Sequence, residues 1–113
     1  MFIYRANITG VYDGDTVTAD IDLGFGVWLK GQKFRLAKIN TPELKGPTRT
    51  EAIAARERLK QLVLDKTVTI NTNHDQKEKY GRWLATIVIQ EDKNSIDVNS
   101  TLVKEGLAKE YIH

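Results

Sequence analysis

Residues 17–23 read Val-Thr-Ala-Asp-Ile-Asp-Leu, with every odd position apolar and every even position polar. That period of two belongs to a strand with one covered face, and Val17, Ala19, Ile21 and Leu23 are the residues expected to be covered. The run is bounded by two turn signals, Asp13-Gly14-Asp15-Thr16 before it and Gly24-Phe25-Gly26 after it. An Asp-Gly pair between two such runs predicts a tight hairpin. On the near side lies Phe2 to Tyr12, a strand supported by Ile8 and Thr9, in which Gly10 suggests a bulge or bend. On the far side Val27-Trp28-Leu29-Lys30 leads past Gly31 into Phe34-Arg35-Leu36. The first forty residues therefore predict three strands joined by short connections.

The third strand runs out at Pro42, which offers no donor to a ladder and biases Thr41 toward an extended conformation. Gly46-Pro47 breaks the chain, and Thr48-Arg49-Thr50-Glu51 has the spacing of a capping box. Ala52, Ala55, Leu59, Leu62 and Val63 then follow a helical stripe, with Arg56, Glu57, Arg58 and Lys60 as its solvated flanks. Ile53 lies off the stripe. Thr67 to Thr72 alternates and is β-branched, and Trp83 to Ile89 is nearly all apolar, so both predict strands. A second helix is expected from Val98 to Glu105, with Asp97 or Asn99 as its N-cap and Gly106 as its stop, before a short extended segment within 107–113. This order predicts a mainly β chain with helices (α+β). It is the order of an OB-fold, a five-stranded Greek-key β-barrel with a helix after strand 3 and a second short helix near the C-terminus.

Composition narrows the chemistry. A chain of 113 residues, 41% hydrophobic and 28% charged, is expected to form one globular domain over residues 1–113. Having no cysteine, it excludes disulfides, thiol nucleophiles and thiolate metal sites. A formal charge of +2 permits an anionic partner without demanding one. No apolar run approaches membrane-spanning length, and no leader pattern precedes the first strand, so no membrane partner is expected. The chain as given is expected in the cytoplasm, or outside the cell if a leader was trimmed.

The polar residues that could carry chemistry are Asp13, Asp15, Asn40 and Glu43 on one side, and Arg35, Lys79 and Arg82 on the other. Oxygen donors of the first kind suit a hard cation. A guanidinium on a strand matches phosphate oxygens in a bidentate way, and a carboxylate just past the strand end can orient a water. Asp13 and Asp15 also read as ordinary turn residues. His74 lies in a polar loop and His113 is terminal, so neither makes a convincing base. Ser95 and Ser100 sit in no nucleophile motif. Trp28 and Trp83 read as core or barrel-rim packing, whereas Tyr80 and Tyr111 could stack on a base or donate to phosphate.

Five short motifs occur in order: Val11-Tyr12-Asp13-Gly14-Asp15-Thr16-Val17, Phe34-Arg35-Leu36, Ile39-Asn40-Thr41-Pro42-Glu43, Lys79-Tyr80-Gly81-Arg82, and Val98-Asn99 through Gly106-Leu107-Ala108. Together they resemble the successive signatures of the staphylococcal nuclease (thermonuclease) family, over nearly the whole chain. The resemblance implies a calcium-dependent phosphodiesterase acting on single-stranded DNA or RNA and leaving 3′-phosphates. It implies Asp15 as a direct ligand of Ca2+, completed by Asn40 and the Thr41 backbone carbonyl, with Asp13 behind them. Glu43 would hold the attacking water, as base or only as orienter, and Arg35 and Arg82 would clamp the phosphate. Lys79, Tyr80 and Tyr111 would contact the flanking nucleotide. A monomer is the default expectation.

Two departures stand out. Thermonucleases usually carry aspartate where this chain has Asn40, which keeps an oxygen donor and loses a charge. The chain also stops at His113, where the secreted bacterial enzymes continue through a further helix. The alternative to the enzyme is a catalytically silent OB-fold module that binds nucleic acid.

Overall fold

The computed structural model describes residues 2–72 and 81–111. Strands β1 (Phe2–Asp13), β2 (Thr16–Asp22) and β3 (Trp28–Leu36) form the expected meander, followed by a two-residue strand β4 (Ile39–Asn40). Helix α1 (Arg49–Val63) comes next, then β5 (Thr67–Thr72), β6 (Trp83–Glu91) and β7 (Asn94–Asp97), helix α2 (Val98–Lys104), and β8 (Lys109–Glu110). The main sheet runs β3-β2-β1-β5-β6-β7, and a parallel pairing of β3 with β6 closes its first five strands into a ring. That pairing matches Phe34 with Trp83, Arg35 with Leu84 and Leu36 with Ala85. Strands β1, β2, β3, β6 and β5 thus make a closed ring of OB type, with α1 and α2 packed on it. Closure removes the edges an open sheet would expose.

The alternation of β2 holds where the strand holds. Val17, Ala19 and Ile21 are buried, but Leu23 falls one residue past the strand end and is 46% exposed. Gly10 lies at a register shift between β1 and β2, as its bulge reading requires. In α1 the buried stripe is Ala52, Ala55, Leu59 and Val63, while Leu62 is half-buried. Leu59 is wholly buried, and trimming such a side chain to alanine costs about 2–5 kcal/mol.

The helix starts differently from the expected capping box. A 3-10 turn at Gly46–Thr48 leads into it, and Thr48 makes no side-chain cap bond. Its hydroxyl instead donates to the Glu43 carbonyl at 2.9 Å, tying the loop after β4 to the helix. At α2 the cap is Asp97, which accepts from the Ser100 N–H at 3.0 Å. Asn99 is buried, and its amide donates to the Ala37 and Ala85 carbonyls and accepts from the Ile87 N–H. It stitches α2 to the seam where β3 meets β6.

Candidate active site

Three elements converge at one rim of the barrel. Asp15 closes the β1–β2 hairpin, Arg35 is one residue from the end of β3, and register sets Thr16 opposite Arg35. The turn after β3 brings Asn40 and Thr41 back to the same rim. Asp15 is only 5% exposed, and its Oδ2 lies 3.0 Å from Arg35 Nη1 while accepting the Thr41 N–H at 3.1 Å. Arg35 Nη2 donates to Asn40 Oδ1 at 3.1 Å, and Nη1 donates to the Leu36 carbonyl at 3.1 Å. A planar guanidinium held at two nitrogens is fixed in direction before any ligand arrives. A buried ion pair of this kind is costly to break from one side, because the remaining charge is left without a partner.

Thr16 carries the arrangement to the next strand. Its hydroxyl accepts from Arg82 Nη1 at 3.0 Å and donates to Asp15 Oδ1 at 3.4 Å. Both arginines are therefore tied to one carboxylate, Arg35 directly and Arg82 through a hydroxyl. Asp13 accepts the Asp15 N–H at 3.1 Å. Burial first, and then the adjoining Asp15 carboxylate, push the Asp13 carboxyl up to about 6. Gly14 lets this hairpin sit against the helix: a Cβ there would lie 2.8 Å from Ala55 Cβ and 2.9 Å from Thr41 Cγ2 and Oγ1. No larger residue fits without moving backbone.

The family model for staphylococcal nuclease homologues matches residues 33–113, which include Arg35, Asn40, Glu43 and Arg82. This chain belongs to the staphylococcal nuclease family. It is 31% identical to an uncharacterized protein, MJ1439, of Methanocaldococcus jannaschii, over 96% of this chain and 60% of that one. It is 30% identical to a thermonuclease of Staphylococcus intermedius, over 88% of this chain and 55% of that one. The chain thus spans little more than half the length of these relatives.

Within this nuclease-family rim, Asp13, Asp15, Arg35, Asn40, Thr41 and Arg82 are brought together. Glu43 is exposed, and its carboxylate makes no hydrogen bond or ion pair among the described residues. Tyr111 is 46% exposed and its N–H donates to the Lys38 carbonyl, which docks it beside β4. Lys79 and Tyr80 lie outside the described residues, as do His74 and His113. Thr16, Gly14 and Asn99 are the contributors the sequence reading did not assign to the site. The threonine could have been found from its place directly after Asp15, opposite an arginine-bearing strand.

The donors that could hold a metal are oxygens: the Asp15 carboxylate, the Asn40 amide and the Thr41 carbonyl. They suit a hard cation in kind. Among the described residues no three His, Cys, Asp or Glu side chains gather as a ready-made cage. An ion held there would take its remaining ligands from water and substrate. Among the described residues no helix is long and apolar enough to cross a membrane.

Proposed function

We propose that residues 1–113 act as one domain, a monomeric calcium-dependent nuclease that hydrolyses single-stranded DNA or RNA and leaves 3′-phosphates. The observation that carries this reading is the convergence of Asp15 and Asn40 on the Arg35 guanidinium, at 3.0 and 3.1 Å, with Arg82 linked to the same carboxylate through Thr16. Phosphoryl transfer asks mainly for positioning and electrostatic stabilisation, and preorganised guanidinium donors supply both. Arg35 and Arg82 would take the non-bridging oxygens. Glu43, facing solvent at the loop after β4, would orient the attacking water. Lys79, Tyr80 and Tyr111 would contact the flanking nucleotide. Calcium, when held by Asp15, Asn40 and the Thr41 carbonyl, would polarise the phosphoryl oxygen.

One observation favours a second reading, a silent nucleic-acid-binding module: position 40 is a neutral amide already engaged by Arg35. Incubation of single-stranded oligonucleotides with the protein in millimolar calcium or in EGTA separates the two. The expected result is cleavage in calcium, 3′-phosphate ends, and no cleavage in EGTA. Undiminished cleavage in EGTA rejects the metal assignment. Binding without cleavage in calcium replaces the nuclease by the binding module.

A further inference from the structure

Strand β8 pairs antiparallel with β4 and sets Lys109 directly opposite Asn40. Residues opposed in this way project to the same face, with Cβ atoms about 5 Å apart. The Asn40 side chain accepts from Arg35 Nη2, so the pairing sets Lys109 beside the residue that holds the guanidinium. Lys109 is exposed and makes no ion pair among the described residues. Among the described residues Lys109 and Arg35 then both neighbour position 40, which itself carries no charge.

We infer that this rim binds the phosphates of single-stranded nucleic acid without a divalent ion, with Arg35 as its resident cation and Lys109 as a further phosphate contact. The inference rests on the nucleic-acid reading above but not on catalysis. A carboxylate at position 40 would lie against both Arg35 and Lys109 and hold their charge back from a phosphate. The neutral amide instead orients Arg35 through one hydrogen bond and adds no second negative charge to the one Asp15 already sets against it. A metal ion is then unnecessary for binding, whatever it does for turnover.

Fluorescence anisotropy with a labelled single-stranded oligothymidylate, in EGTA and in calcium, tests this. The wild-type chain should bind in EGTA within about threefold of its affinity in calcium. Lys109→Gln should weaken binding in EGTA about three- to tenfold and flatten the slope of log affinity against log salt by about 0.7, the signature of one lost phosphate contact. Asn40→Asp should weaken binding in EGTA about tenfold and recover it in calcium. Both residues are exposed, and unchanged thermal melts will show that the variants fold. Binding by wild type only in calcium overturns the inference and leaves the nuclease reading standing. An unchanged salt slope in Lys109→Gln removes Lys109 from the site. Binding in neither condition overturns the inference and the nucleic-acid reading together.

Discussion

The two hairpins of the first meander are built with the same device and end in opposite surroundings. In the β1–β2 turn the Asp13 carboxylate accepts the N–H of residue 15, and in the β2–β3 turn the Asp22 carboxylate accepts the N–H of residue 24. Each aspartate thus closes its turn by bonding two residues ahead. Yet Asp15 and Thr16 are buried at one end, while Phe25 at the other is fully exposed. Gly14 is required because helix α1 and Thr41 press on it, whereas Gly24 and Gly26 are required because their φ angles are +82° and +75° with open space around them. The first glycine permits contact and the others permit curvature. The chemistry sits at the pressed turn, where neighbours hold polar groups in place.

The sharpest way to break the comparison is at the arginine the pressed turn immobilises. Arg35→Lys keeps the charge and loses the fork that reaches Asn40 and the Leu36 carbonyl together. On the nuclease reading, turnover should fall by about 10²–10³, the usual loss for one preorganised donor. Steady-state cleavage in calcium measures it, and near-native turnover would remove Arg35 from the phosphate clamp.

A smaller effect separates the glycines. Gly14→Ala forces a methyl to within 3 Å of Ala55 and Thr41, and overpacking of this kind costs about 1–3 kcal/mol. Because Thr41 donates its N–H to Asp15, the displacement should also weaken the site. Urea unfolding measures the stability loss. A loss under about 0.5 kcal/mol would mean that the helix yields easily and the turn is not pressed at all.

How much of this was legible in the sequence follows the range of the forces involved. Strand alternation and Asp-Gly turns are local, and β1, β2 and β5 were readable from them to within a residue or two. The third strand is expected from the sequence to run to Pro42 but ends at Leu36, because a turn with Lys38 at φ +63° separates it from β4. The parallel pairing of β3 with β6 joins residues far apart in the chain, and no local pattern encodes it; only the element order hinted at closure. Strand β7 escaped because Asn94 and Ser95 are polar and exposed, in a hairpin whose turn is made by Asp92 at φ +50°. The capping box failed because Thr48 sits at φ −94° and ψ +11°, outside the extended region an N-cap residue takes, with its hydroxyl turned to the Glu43 carbonyl. Asp15, Arg35, Asn40 and Arg82 could be picked by chemistry and motif. Thr16 could have been found only by its place after Asp15, and Asn99 could not, since its value lies in partners that only the fold supplies.

The pressed turn also leaves a mark on pH dependence. With the Asp13 carboxyl at 3.8 in the unfolded chain and about 6 in the fold, the native state binds more protons between those values. Stability must therefore fall as pH rises from about 4 to about 6, and stay lowered above that. Asp13→Asn keeps an oxygen to accept the Asp15 N–H and removes the titration. Measured in EGTA, the variant should gain about 1 kcal/mol over wild type at pH 7.5, allowing for screening at a half-buried group, and nothing at pH 4. A gain of equal size at both pH values would show that the Asp13 charge, buried and set beside Asp15, is not its source.

The smallest expected effect lies at the open turn. Phe25 has φ +56° and its ring touches solvent on all sides, so its side chain contributes no packing to the fold. A left-handed conformation costs an L-residue about 1–2 kcal/mol, which glycine does not incur. Against this, glycine raises the entropy of the unfolded chain by about 0.5–1 kcal/mol relative to a residue with a side chain. Phe25→Gly should therefore be nearly neutral, stabilising by about 0.5 kcal/mol and raising the melting temperature by about 2–4 °C. Cleavage in calcium should be unchanged, since the turn lies at the opposite end of β2 from Asp15. A loss of more than about 1 kcal/mol would mean that the ring is packed after all. The contrast between a pressed, functional hairpin and an open one would then fail at its open end.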